Sequence, residues 1–461
     1  GLGEVIGSLP KALRAQGIDA RVVLPKYRNI PDEYRNNIRH IKYIYVDIGW
    51  RHQYCGIEEY VLDGLPVYFI DNEYYFGREM IYGYDDDEPE RYVFYCKSVL
   101  EVLPHIGFKP DIIHCHDWQT GMVPVLLKTN YCHNDFYRDI RTLFTIHNLK
   151  YQGIFSKELM RELLGLEEEY YTSDKLEFYG GVSFMKGGLT YSDLISTVSP
   201  TYAKEIQTPF FGQKLDGLLR ARHRQLFGIL NGIDYDAYNP SDDPLIYVEY
   251  DSRNIEDKVK NKLKLQEQLG LPVREDVPLI AIITRLVSQK GVDLIEAVFE
   301  EILSMDIQMI VLGDGEPHYE WLFRDGAYRY PQKLSANIYY DNELAHRIYA
   351  GADIYLMPSL FEPCGLAQLF SLRYGTIPIV RETGGLKDTI HAYNEFTDEG
   401  NGFSFTDYNA HDMLYTIRRA IEFYHKKDIW NTLIDRAMNG DYSWDRSASD
   451  YINLYRQSLK I

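Results

Sequence analysis

Leu279-Ile280-Ala281-Ile282-Ile283-Thr284-Arg285-Leu286-Val287-Ser288-Gln289-Lys290-Gly291 opens as an unbroken apolar run, turns polar at Thr284 and leads into helix-like spacing over 292–304. A second apolar run, Gln308-Met309-Ile310-Val311-Leu312, follows. A strand with no polar alternation is covered on both faces, the condition of a parallel strand. A helix joining two such strands makes a βαβ crossover.

The same unit recurs outward in both directions. Downstream, the pattern predicts a strand at Ile338-Tyr339-Tyr340, a helix over 343–351, a strand over 353–357, a helix over 367–374 and a strand at Ile377-Pro378-Ile379-Val380. Upstream, a helix is expected over 255–269, after the turn-rich linker Asn239-Pro240-Ser241-Asp242-Asp243-Pro244. Before the linker, strands are expected at Ala20-Arg21-Val22-Val23-Leu24, Asp111-Ile112-Ile113-His114-Cys115-His116, Thr142-Leu143-Phe144-Thr145-Ile146-His147, Leu194-Ile195-Ser196-Thr197-Val198 and Leu226-Phe227-Gly228-Ile229-Leu230. Helices near 118–129, 174–191 and 214–223 separate the later ones. The expected architecture is α/β, with two doubly wound domains, 1–240 and 241–442. Ligands of such folds bind at the carboxyl ends of the strands, so both domains are expected to line a cleft.

Composition narrows the function. The chain has 461 residues, 45% hydrophobic and 25% charged, which excludes a disordered or collagen-like protein. With 49 basic against 68 acidic residues the net charge is −19, so neither nucleic acid nor an anionic membrane is an expected partner. Five scattered cysteines without a C-x-x-C pair fit neither a disulfide framework nor a zinc site and suggest a reducing cytoplasm. No apolar stretch reaches membrane-spanning length, and no signal-peptide pattern is visible. Forty tyrosines are an unusual supply of rings that both stack and hydrogen-bond. Gly1-Leu2-Gly3-Glu4 is a glycine-rich turn opening a helix, a feature that ordinarily follows a strand, so a further strand is expected upstream of Gly1.

Polar outliers cluster just past the strand ends. Arg285 and Lys290, five residues apart in a strand-to-helix loop, form a candidate diphosphate clamp. Thr383-Gly384-Gly385 opens a helix with residues that let backbone N–H groups approach an anion, and Gly1-Leu2-Gly3 offers the same feature in the first domain. Leu360-Phe361-Glu362-Pro363-Cys364-Gly365-Leu366 places a carboxylate where it could stabilise a developing oxocarbenium, fix sugar hydroxyls, or simply favour the next helix. Cys364, beside that helix, is either structural or a thiol of lowered pKa. His114, His116 and Asp117 invite a metal reading, but strand alternation puts only His114 and His116 on the same side with no third ligand locally defined, and no metal is expected. His147 and Asn148 read as a hydrogen-bonding pair at a strand end.

Together these segments resemble the bacterial glycogen synthases and plant starch synthases, retaining glucosyltransferases of the GT-B architecture. The resemblance runs from Gly1 to the carboxyl end. It rests on Gly1-Leu2-Gly3-Glu4-Val5, His116-Asp117-Trp118, Thr145-Ile146-His147-Asn148, Leu230-Asn231-Gly232-Ile233-Asp234, Thr284-Arg285-Leu286 with Lys290-Gly291, Phe361 to Leu366, and Thr383-Gly384-Gly385-Leu386. It implies transfer of glucose from a nucleotide sugar, ADP-glucose, to an α-1,4-glucan, without a cofactor. By that resemblance Arg285 and Lys290 neutralise the diphosphate, and Gly1, Thr383, Gly384 and Gly385 contact it. Tyr340 packs near the base, and His147, Asp117, Asn231 and Glu362 surround the glucose. Asn148 and the Cys364-Gly365-Leu366 turn are carried over as substrate-binding. The resemblance also implies that a helix at about 443–461, with Tyr451, Leu454 and Tyr455 on one face, returns to the first domain. The expected compartment is a bacterial cytoplasm or a plastid.

Two departures stand out. The family's motif lysine would precede Gly1, and Phe370 occupies the position where related GT-B enzymes place a second carboxylate, with Gln368 the nearest polar residue. The alternatives are a glucosyltransferase using UDP-glucose and a catalytically silent glucan binder. A dinucleotide oxidoreductase fits poorly, because the glycines at 1, 3 and 7 miss the G-x-G-x-x-G spacing by one position.

Overall fold

The structure, a computed structural model, describes residues 1–83 and 87–460. Ile461, the last residue of the helix expected at 443–461, lies outside them. The chain divides into two compact units: Gly1–Val198, Ala203–Ile229 and Asp445 onward form the first, while Ser199–Tyr202 and Leu230–Trp444 form the second.

The first unit opens with the helix Leu2–Ala15 and strand β1 (Val22–Pro25). A meander of β2 (Arg39–Ile48), β3 (Arg51–Leu62) and β4 (Leu65–Asp71) follows, giving a sheet ordered β1-β4-β3-β2. β4 runs antiparallel to β3 and parallel to β1. The Asp63-Gly64 turn fixes the β3–β4 register, both residues having positive φ (49° and 81°), as a two-residue hairpin with right-handed strand twist requires. After the buried helix Glu88–Val102 come β5 (Ile112–His116) and β6 (Arg141–Ile146). The short strands β7 (Ile154–Phe155), β8 (Glu177–Phe178) and β9 (Gly181–Ser183) form a small antiparallel sheet. β10 (Leu194–Thr197) and β11 (Leu226–Gly228) complete a parallel sheet ordered β11-β10-β6-β5. An apolar cavity of about 970 Å³ is lined by residues of both β1 and β5.

The second unit carries one parallel sheet of six strands, ordered β14-β13-β12-β15-β16-β17. Its strands are β12 (Leu279–Ile283), β13 (Gln308–Leu312), β14 (Leu334–Asn337), β15 (Ile354–Met357), β16 (Ile377–Arg381) and β17 (Phe403–Phe405). β13 is buried along its whole length, which explains why it reads as a continuous apolar run. The Asn239–Pro244 stretch lies inside this unit, where the buried carboxylate of Asp243 accepts from Tyr374 Oη (2.6 Å) and meets His346 Nδ1 (2.8 Å).

Some local expectations shift. The edge strand is Leu334–Asn337, not 338–340, because Met309 to Leu312 of β13 pair with Leu334 to Asn337. The helix expected near 174–191 shortens to Phe184–Tyr191, preceded by β8 and β9, whose turn at Tyr179 and Gly180 holds both residues at positive φ (50° and 87°). The helix over 292–304 breaks at Val298 into Val292–Ala297 and Phe299–Ser304. Replacing Ile310, fully buried in β13, with Ala is expected to cost about 2–5 kcal/mol, read as a lower urea midpoint for the second unit.

Candidate active site

In the second unit, the loops leaving β12, β13, β15 and β16 touch through their backbones. Leu286 N–H donates to Asp314 O (2.7 Å), Glu316 N–H to Leu286 O (2.8 Å), and Leu360 N–H to Gln289 O (2.9 Å). Gly384 has φ 45°, and a Cβ there would lie 1.9 Å from Glu362 O; at Gly385 a Cβ would lie 1.9 Å from Cys364 O. Only glycine permits this approach. Gly385, expected to offer its N–H to an anion, instead donates it to the carbonyls of Glu362 (3.2 Å) and Pro363 (3.1 Å). Its observed task is to hold the Glu362 loop.

That loop carries the charged centre of the unit. Lys290 Nζ reaches Glu362 Oε2 at 2.6 Å, and Ser359 Oγ donates to the same oxygen at 3.1 Å. Glu362 is buried. Arg285 is exposed; its carbonyl accepts from Val287 N–H (3.0 Å), while its guanidinium has no hydrogen-bond or ion-pair partner among the described residues and so is open to an anionic ligand. Gln368 Nε2 donates to the carbonyls of Cys364 (3.2 Å) and Gly365 (2.9 Å), fixing the turn before the helix Ala367–Arg373, whose flanking residue is Leu366. The thiol of Cys364 is buried beside the backbone of Asn231, and burial pushes its pKa up to about 12, which removes the reading of a reactive, low-pKa thiol. Asn231 is itself buried, and its Oδ1 has no hydrogen-bond partner among the described residues. Thr383 is buried at the start of the helix Gly384–Thr389. Tyr340 stands apart, 84% exposed, in the loop beyond β14.

In the first unit, Asp117 follows β5 with φ 58° and ψ −178°, a conformation costly for a residue with a side chain. Its Oδ1 accepts from the backbone N–H of His147 (2.8 Å) and lies 3.5 Å from that of Asn148, so the strained residue pins the turn after β6. His147 Nε2 meets His116 Nδ1 at 3.0 Å. His114 Nε2 meets Thr145 Oγ1 at 2.6 Å, and its Nδ1 meets Tyr455 Oη at 2.8 Å. These rings are engaged with protein groups, and among the described residues no group of three or more His, Cys, Asp or Glu side chains could hold a metal ion. Gly1 flanks the helix Leu2–Ala15, its terminal ammonium 2.9 Å from Glu4 Oε2.

Reasoning from sequence missed several contributors. Ser359 binds Glu362, and the Gly313-Asp314-Gly315 turn supports the Arg285 loop. The glycine pair after β13 was the one available signal, since loops at strand ends build such sites.

The buried imidazoles make the first unit acid-sensitive. Burial holds His114 and His147 well below the ordinary value and lowers His116 to about 3, while it raises Asp117 to about 7 against the hydrogen bonds from His147 and Asn148. Below pH about 6.5 the unfolded chain protonates its histidines and the folded chain does not, so stability falls with pH. Asp117 acts oppositely: its folded form binds a proton first, so its own contribution grows as pH falls from about 7 toward 4. Three histidines outweigh one carboxylate. Calorimetric melting of the first unit is expected to move to lower temperature between pH about 6.5 and 4, with a shallower slope for His116→Asn and a steeper one for Asp117→Asn.

The starch synthase catalytic domain family matches residues 1–221, and the glycosyl transferases group 1 family matches residues 265–431. A glycogen synthase of Geobacillus thermodenitrificans (strain NG80-2) is 58% identical over 460 residues, covering 100% of this chain and 95% of the relative. One from Desulforamulus reducens is 56% identical over 459 residues, with the same coverage, 100% and 95%. Among solved structures, the catalytic domain of starch synthase IV from Arabidopsis thaliana, bound to ADP and acarbose, superposes with a TM-score of 0.93 at 34% identity, covering 100% of this chain and 96% of that one. A sucrose-phosphate synthase from Thermosynechococcus elongatus, 17% identical with a TM-score of 0.60 over 98% of this chain and 92% of its own, shares the fold. Among the described residues no helix is long and apolar enough to cross a membrane. The chain has the two-domain GT-B fold and belongs to the glycogen synthase and starch synthase family of glycosyltransferases.

Proposed function

We propose that the chain transfers glucose from ADP-glucose to the non-reducing 4-hydroxyl of an α-1,4-glucan, with retention of configuration and without a metal. The observation that carries this reading is the meeting of Lys290 with Glu362 at 2.6 Å at the end of a loop that also carries Arg285, two cations in one strand-to-helix loop of a chain of net charge −19. Departure of the nucleoside diphosphate builds negative charge, and preorganised cations stabilise such charge in the transition state. Arg285 supplies a planar fork for phosphate oxygens and Lys290 a point charge.

Glu362 serves two states in this scheme. Without donor it shares the charge of Lys290. When a diphosphate takes up that charge, the carboxylate turns to the hydroxyls of the transferred glucose. The turn Cys364-Gly365-Leu366 and Gly385 hold its backbone, Thr383 and Gly384 border the diphosphate, and Tyr340, exposed in the free chain, covers the base. His147, Asn148 and Asn231 bind sugar hydroxyls, and Asp117 orients the His147 backbone. The related starch synthase binds ADP and acarbose, and ADP is the leaving group of ADP-glucose.

Two assays test this. Incubation with ADP-glucose and glycogen is expected to release ADP in a glycogen-dependent manner, faster than UDP appears from UDP-glucose. Release from neither donor while glycogen is bound would make the chain a binder, and faster use of UDP-glucose would reverse the base preference. Arg285→Ala is expected to lower kcat/KM by about 10²–10³-fold, roughly 3 kcal/mol of transition-state stabilisation. Near-normal turnover in that variant would remove the diphosphate clamp.

A further inference from the structure

We propose that Arg381 and Tyr408 are positioning residues, a packed pair that holds the Lys290 turn and the Glu362 loop in place relative to each other. The parts played by Lys290 and Glu362 in glucosyl transfer rest on the reading given above; the holding itself rests on contacts inside the second unit.

Arg381 is the last residue of β16, and its Nη1 donates to the carbonyls of Leu360 (2.7 Å) and Ser359 (3.4 Å) in the loop after β15. Leu360 is thereby fixed on both sides, because its N–H donates to Gln289 O at 2.9 Å. Gln289 lies in the short turn Ser288–Lys290, next to Lys290, and Ser359 donates through Oγ to Glu362. One residue, Leu360, therefore links the two loops, and a charged donor holds its carbonyl. Hydrogen bonds from an ionised donor are the stronger kind.

Tyr408, between β17 and the helix Ala410–Tyr424, holds the other side. Its Oη donates to Asp293 Oδ1 (2.5 Å) and lies 3.3 Å from Ser288 O. Asp293 stands in the first turn of the helix Val292–Ala297, directly after the Lys290 turn. Burial and the Asp293 carboxylate raise the pKa of the Tyr408 phenol well above its ordinary value, so it remains a donor throughout the neutral range. The Arg381 guanidinium carbon lies 5.5 Å from the centre of the Tyr408 ring, within cation–π range. The two tethers are thus joined to each other.

The pair matters because the direct link between the loops is one that a ligand removes. In the free chain Lys290 and Glu362 meet at 2.6 Å. An anionic ligand that takes up Lys290 ends that contact and leaves both groups to be placed by their backbones. Arg381 and Tyr408 hold those backbones without using either charged side chain. A catalytic group displaced by about 1 Å can lose 10²-fold in rate, so such a hold has a kinetic consequence. The contacts assigned to the donor and the transferred glucose include none of Arg381, Tyr408 and Asp293.

Amide hydrogen exchange and steady-state kinetics on the whole chain test the pair. Arg381→Met keeps an unbranched stem against the Tyr408 ring and removes the donors. It is expected to speed exchange at the Leu360 amide about tenfold and to lower kcat about tenfold, with KM for glycogen unchanged. Arg381→Lys, with a similar stem and a charged donor, is expected to recover most of both losses, which a general packing defect would not show. Tyr408→Phe keeps the ring and drops the hydroxyl; it is expected to weaken ADP binding, measured by calorimetry, about fivefold, the loss of one hydrogen bond. Unchanged Leu360 exchange in folded Arg381→Met, or unchanged kcat once that exchange has accelerated, would overturn the proposal. Exchange and ADP binding need no turnover. If neither ADP-glucose nor UDP-glucose supports transfer, the functional reading fails while these two measurements still decide the pair.

Discussion

The second unit depends on backbones that approach one another more closely than any side chain allows. Gly384 and Gly385 press against the carbonyls of Glu362 and Cys364, and the hydrogen bonds across that contact join the loops after β15 and β16. The loop after β12 is tied to its neighbour through Leu360 and Gln289. Glu362 is thereby held by main chain on both sides and by Ser359 and Lys290 at its carboxylate. The backbone of this buried acid is thereby preorganised, and what a ligand changes is the partner of its carboxylate.

The first unit reaches rigidity by other means. Asp117 occupies a strained conformation, and its carboxylate organises the backbone of the next strand's exit. Strain of this kind persists only where surroundings over-determine it. Here those surroundings are His116 on His147, Thr145 on His114, and Ser196 Oγ on Thr145 Oγ1 at 2.6 Å. One unit thus positions its polar groups with glycine contacts, and the other with a buried chain of small hydrogen bonds.

The sequence made the second unit's sheet legible because parallel strands covered on both faces leave unbroken apolar runs, as at Leu279–Ile283. The edge strand Leu334–Asn337 escaped because Ser335 and Asn337 interrupt its pattern, while the Ile338-Tyr339-Tyr340 run next to it looked more strand-like. The meander from β2 to β4 went unread, although Tyr43, Tyr45 and Asp47 alternate with Ile44, Val46 and Ile48, and Asp63-Gly64 is a hairpin signal. At the candidate site, the charged residues were legible as polar outliers past strand ends. What the glycines do there was not, since the need for them comes from the neighbouring loop's carbonyls and from nothing local to the Gly-Gly pair.

The membership of the last helix in the first unit has a consequence for biosynthesis. Gln16 Nε2 donates to Asp445 O at 2.8 Å, Ser449 Oγ donates to Gln16 Oε1 at 2.9 Å, and Tyr455 contacts His114. A domain ordinarily folds as it leaves the ribosome, amino-terminal part first. Here the first unit cannot form these contacts until the whole of Leu230–Trp444 has been synthesised, so an earlier part of the chain waits for a later one.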